Sequence, residues 1–144
     1  MGYDLKSRSA TIWDEGTHRF PVTSVTDIAE ALVTIFTDAT ARDKVKNRHV
    51  RIFSVKTSQN DILAALEKET GEKWAVKHVN GKELLAGGKE KLSNGDGTGV
   101  VPIIQSVAFL DGGWKDWTTE AEEDKKILLP NGTDTLEEAV RRVA

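Results

Sequence analysis

In this chain Ser58 stands three positions ahead of Asp61, and Thr135 three ahead of Glu138, each where an apolar-periodic stretch begins. At that spacing the hydroxyl accepts from the third helical N–H and the acid reaches back to the cap's own N–H. Each pair therefore marks a helix start. Behind Ser58, or Thr57 as the alternative cap, Ile62, Leu63 and Leu66 form a buried stripe that Gly71 stops. Behind Thr135, the face is Leu136, Ala139, Val140 and Val143, with Arg141 and Arg142 at the negative end of the dipole. Short β-forming runs stand upstream of the first of these helices.

Ala10 to Trp13 and His18 to Thr23 are such runs, split by Asp14-Glu15-Gly16, which reads as a hairpin. Ser24 to Asp27 offers a cap for a helix whose face is Ile28, Ala31, Leu32, Ile35 and Phe36. Ala41 to Asn47 reads as a charged connector, His49 to Val55 alternates as a strand, and Trp74, Val76 and His78 share one face of another. Lys82 to Leu92 predicts a helix weakened by Gly87 and Gly88, Asn94 to Gly99 a loop, and Val100 to Leu110 a buried helix with Pro102 in its first turn. Trp114 and Trp117 precede an acidic, solvated stretch to Lys126. The expected architecture is α/β or α+β: one domain over residues 1–144, with a small sheet and four to five helices.

Composition narrows the chemistry. With 20 basic and 23 acidic residues the net charge is −3, against the basic excess of a nucleic-acid-binding module, so no nucleic-acid partner is expected. No cysteine is present, which removes disulfides, thiolate metal sites and a thiol nucleophile. Val100 to Leu110, the longest apolar run, falls short of the roughly 20 residues that span a bilayer. With no export signal from Met1 to Ser9, a cytoplasmic protein without membrane association is expected.

Few residues carry a chemical signature. Asn94-Gly95-Asp96-Gly97-Thr98-Gly99 could be a phosphate cradle, a calcium loop or a plain loop, but it lacks a preceding strand and a twelfth-position acid. His18, His49 and His78 are scattered, so no metal site is expected. His78, on the face of Trp74 and Val76, is the candidate acid/base. Arg42, Lys44, Lys46, Arg48, Arg51 and Lys56 form a basic cluster, read either as a phosphate patch or as a solvated edge. Ile104, Gln105, Ser106, Phe109, Trp114 and Trp117 are the candidate substrate-binding residues. The indoles and Phe109 could line an apolar pocket, form a subunit contact or fill the core, while Gln105 and Ser106 offer hydrogen bonds from an apolar wall.

The stretch Thr57 to Trp74, with Tyr3-Asp4-Leu5-Lys6, Ala10-Thr11-Ile12 and Phe20 to Ile28 upstream, resembles fungal NmrA-like, isoflavone-reductase-like proteins. The helix regions Val79 to Leu92 and Leu136 to Val143 follow in the expected order. The resemblance maps to the C-terminal half of that family of atypical short-chain reductases, in which an N-terminal Rossmann half binds NADPH and the smaller half shapes the substrate pocket. It implies a truncated derivative of that fold: a small-molecule-binding domain that is not a self-contained NADPH reductase. NADPH would bind only with a missing N-terminal half, because no Gly-x-Gly-x-x-Gly stands between a strand and a helix here. The alternative is a cofactor-independent isomerase, cyclase or dehydratase of fungal secondary metabolism on the retained pocket, with His78 as acid/base. The expected ligand is an apolar or aromatic small molecule. Loss of a partner half would leave exposed edges and apolar faces, so a homodimer burying part of Val100 to Trp117 is expected.

Overall fold

The computed structural model describes residues 2–112 and 116–144. It is of the α/β class and divides into two compact units. One contains the residues up to Phe20 and those from Ser58 through the Val100–Phe109 helix; the other contains Pro21–Thr57 and Asp116–Val143.

In the first unit, β1 (Tyr3–Asp4), β2 (Ser9–Trp13) and β5 (Ala75–Val79) form a sheet in the order β1-β2-β5. β1 runs antiparallel to β2, and β5 runs parallel to it, with Ile12 opposite His78 and Trp13 opposite Val79. A parallel neighbour requires a crossover, which α3 (Gln59–Thr70) supplies within this unit. The Ser58–Asp61 capping box forms, and Gly71 at φ +69° ends the helix. Beyond the end of β1, the buried Gln59 side chain takes the place of a strand. It accepts from Trp13 N–H at 2.8 Å and donates to the Thr11 carbonyl at 3.2 Å. The buried amide thus satisfies backbone groups that would otherwise lack partners.

α4 (Gly81–Ser93) and α5 (Val100–Phe109) follow, joined through a 3-10 turn at Gly97–Gly99. The loop read from Asn94 to Gly99 is part of this packing. A Cβ at Gly99 would collide with the Gly88 carbonyl, and one at Gly88 would sit 2.8 Å from the Pro102 ring. The glycines that weaken the helical pattern are what let α4 and α5 meet closely. α5 is not buried all round: Ser106 and Phe109 are buried, while Val101, Ile104 and Val107 are exposed.

The second unit holds α1 (Val25–Thr37), α2 (Ala39–Val45), α6 (Thr118–Leu128) and α7 (Leu136–Arg141). Its core is Ala31, Ala41, Val45, Leu128 and Leu129, with Ile35, Ile52 and Ile127 packed against it. Two of these helices were not expected. Asp38 starts α2 by accepting from Thr40 and Ala41 N–H in the stretch read as a connector. α6 hides its inward stripe because that stripe, Ala121, Asp124 and Leu128, includes a buried acid. Of the run His49 to Val55 expected as a strand, only Val55 is one: β4 (Val55–Ser58) starts there and pairs with β3 (Arg19–Val22) as a separate two-stranded sheet. Upstream of β4, Arg51 N–H is taken by the Asp124 carboxylate and Ser54 N–H by the Val22 carbonyl. The hairpin expected between β2 and β3 does not form. Gly16 instead packs on the Ile12 and Asn60 side chains, and its carbonyl accepts from Asn60 N–H. Among the described residues, no helix is long and apolar enough to cross a membrane.

Candidate functional site at the carboxyl ends of the parallel strands

β2 and β5 end side by side, and Asp14 N–H continues the ladder by donating to the Val79 carbonyl at 2.9 Å. Asp14 then turns the chain at φ +49°, a left-handed conformation in which Asp is one of the tolerated residues. This turn brings its groups to two partners. Its Oδ1 accepts from Gly81 N–H at 2.9 Å, in the first turn of α4, where the helix dipole favours a carboxylate. Its carbonyl oxygen lies 2.8 Å from His78 Nδ1. A carbonyl only accepts, so Nδ1 carries the proton and Nε2 of the neutral ring keeps the lone pair. His78 is exposed. Its orientation is therefore set by a backbone carbonyl on an exposed residue.

Gly81 is needed at this corner. A Cβ there would run into the Leu110 side chain and come within 2.9 Å of Asp14 Oδ2 and 3.0 Å of the Trp13 ring. The wall behind is aromatic. Trp13 and Phe109 have ring centroids 5.8 Å apart, and Phe20 meets Phe109 edge-on at 5.2 Å. His18 stands with Nδ1 3.8 Å from the exposed Asp111, and its buried Nε2 has no hydrogen-bond partner.

The residues expected to form the site separate. His78 is at the corner just described. Phe109 is buried between Trp13 and Phe20, Gln105 is half-buried, and the buried Ser106 donates to the Ile103 carbonyl at 2.7 Å. Ile104 is exposed on α5. Trp117 belongs to the second unit, where it meets Phe53 edge-on at 6.2 Å. Trp114 lies outside the described residues. Asp14 had only a turn reading in the sequence and Gly81 none, because the contact that joins them spans 67 residues.

Three of the six residues of the basic cluster form ion pairs within the second unit. Arg48 contacts Asp124 at 2.6 Å, Lys46 contacts Asp43 at 3.1 Å, and Lys56 contacts Asp116. Burial alone would raise the Asp124 pKa, but the Arg48 hydrogen bond and the Arg51 N–H outweigh it and hold the group low. The Lys56 hydrogen bond, followed by Thr118, holds Asp116 far below the usual carboxylate range. A cleft of about 790 Å³ in this unit is lined by Thr40, Lys44, Arg48 and Lys126, but also by Asp38 and Glu123, so its charge is mixed. Among the described residues no group of His, Asp and Glu could hold a metal ion.

A dinucleotide would need glycine N–H groups presented by a strand-to-helix turn. Gly95, Gly97 and Gly99 lie between two helices, and Asp96 spends its carboxylate on Thr98 N–H at 2.9 Å. Gly88 and Gly99 are filled by each other's backbone. These residues do not fit NADPH.

No family model matches the chain. It is 30% identical over 112 residues to "Oxidoreductase poxI" of Penicillium oxalicum, covering 78% of this chain and 35% of that protein. It is 31% identical over 139 residues to "Oxidoreductase aprR" of Aspergillus flavus, covering 94% of this chain and 46% of that one. The chain thus spans a third to just under half the length of these curated relatives, and is related in sequence to fungal oxidoreductases over that part.

Proposed function

We propose that this chain binds an apolar or aromatic small molecule at the carboxyl ends of β2 and β5, and that its oxidoreductase-related sequence is of NmrA-like, isoflavone-reductase-like ancestry. The observation that carries the reading is the corner made by Asp14, His78 and Gly81. In open α/β sheets, ligands bind beyond the carboxyl ends of parallel strands. Here that end presents an oriented imidazole. The reading places the protein in the cytoplasm and gives this chain no NADPH site of its own, since its glycines serve helix packing.

The test is saturable quenching of tryptophan fluorescence by 1-naphthol, an uncharged aromatic hydroxyl compound. Binding in the sub-millimolar range is expected, weakened about fivefold by His78→Ala through loss of roughly one hydrogen bond. Absence of saturable quenching, or NADPH binding more tightly than 1-naphthol, overturns the reading.

The fixed tautomer of His78 favours a second reading, a cofactor-independent isomerase of secondary metabolism. Nε2 would take a proton from a carbon acid and return it at another carbon, leaving the substrate's atoms and electrons unchanged in number. Its sign would be exchange of substrate protons with deuterated solvent that His78→Gln abolishes.

A further inference from the structure

Helix α1 has two apolar faces, and only one of them is used by the fold. At 100° per residue, Asp27, Ala31 and Ile35 lie together, and this is the side that meets the core of the second unit. Val25, Ile28, Ala29, Leu32, Val33 and Phe36 lie roughly 130° further round. Their exposures are 82% for Val25, 43% for Ile28, 48% for Leu32, 60% for Val33 and 75% for Phe36. The face expected from the sequence, Ile28, Leu32 and Phe36 with Ala31 and Ile35, mixes the two. Small Ala31 lets the helix sit on its core, and the bulkier residues are turned outward.

The geometry points to this outer face as the contact between two copies of the chain, packed as an antiparallel helix pair about a twofold axis. Three observations commit the surface to a second copy. The stripe is self-complementary: reversed about the midpoint of residues 25–36, Phe36 meets Val25 and Leu32 meets Ala29 along its centre, with Ile28 and Val33 on its opposite edges. Large residues then face smaller ones, and Ala29 lets the helices approach at the centre. The stripe carries no charge, so a twofold brings no like charges together; Glu30 lies off it, on the rim. The area also fits. At roughly 150–200 Å² for a fully exposed large apolar residue, these exposures amount to about 500 Å² per copy, over half of the roughly 800 Å² per partner in a stable interface. Two such faces bury about 1,000 Å² in total, the least that marks a specific interface. α5 offers a smaller uncharged stripe in Val101, Ile104 and Val107, without an aromatic residue.

Sedimentation equilibrium of the full chain from about 5 to 100 μM tests this, in the concentration range where interfaces of this size associate. The expected mass is twice 15.8 kDa, falling to the monomer in Leu32→Glu/Phe36→Glu with an unchanged far-ultraviolet circular dichroism spectrum. Ile104→Glu on α5 should leave the dimer intact. The chain has no cysteine, so Ala29→Cys/Leu32→Cys introduces its only thiols. Oxidation should convert that variant to a covalent dimer, a readout that needs no destabilising charge. A wild-type monomer throughout the range, a dimer that survives Leu32→Glu/Phe36→Glu, a dimer lost in Ile104→Glu, or failure of the cysteine pair to cross-link overturns the proposal. A monomer would leave the face to a different protein.

Discussion

Asp14 shows how much one residue can organise when its backbone is held in the left-handed region. One carboxylate oxygen serves the start of α4 and the carbonyl sets the tautomer of His78. In the second unit Asp27 has a comparable position: buried, it accepts from the Ser54 hydroxyl and from Asp134 N–H at 3.0 Å. Asp134 is itself held down to a pKa of about 2 by Arg142, then by Ser24. Its folded pKa is below the unfolded value of about 3.9, so its contribution is fully present above about pH 4 and is lost as pH falls towards 2. The melting temperature should therefore drop over that window, and Asp134→Asn should flatten the drop while lowering the melting temperature at pH 7. A thermal-melt series from pH 7 to pH 2 checks both. At this scale the capping pairs Ser58–Asp61 and Thr135–Glu138 were legible, because a cap is a contact three residues long. The partners of Asp14 and Asp27 were not, since nothing local marks a carboxylate whose donors lie 67 or 107 residues away.

Among the elements, α4 and α5 depend on absent side chains. Their approach at Gly88 and Gly99 leaves no room for a methyl group. Gly88→Ala would improve helix propensity by about 1 kcal/mol, yet place Cβ 2.8 Å from Pro102 and 2.9 Å from the Gly99 carbonyl. Overpacking of this kind costs about 1–3 kcal/mol, so net destabilisation is expected. Gly87→Ala, with open space at its Cβ, should stabilise instead. Urea denaturation of the two variants decides it, and a stabilised Gly88→Ala would show that the helices can part at no cost. The same glycines explain why α4 read weakly in the sequence: propensity penalises them in isolation, whereas packing requires one and tolerates the other. α6 and α2 were missed for a different reason. α6 buries Asp124 on its inward stripe, and α2 begins with Asp38 in a stretch whose charges mask its two buried residues, Ala41 and Val45. Hydrophobic periodicity finds helices that bury apolar stripes and misses those that bury paired charges.

For the whole chain, the alternation of capped helices and short strands carried the α/β class, whereas the residues of the apolar segment expected to bind substrate have different surroundings in the structure. Phe109 serves the aromatic core of the first unit, Ile104 is exposed, and Trp117 packs on Phe53 in the second unit. Of the expected residues that the structure describes, His78 stands at the strand ends with Phe109 in the wall behind, and the partner of His78 is a backbone carbonyl that no sequence pattern announces. The account rests on that corner being a ligand site and on the glycines of α4 and α5 being structural. Amide chemical-shift mapping during titration, first with 1-naphthol and then with NADPH, tests both at once. It should show 1-naphthol shifts concentrated at Trp13, Asp14, His78 and Gly81, with little change anywhere from NADPH. Saturating NADPH shifts at residues 95–99, or 1-naphthol shifts that leave Asp14, His78 and Gly81 unmoved, would contradict it.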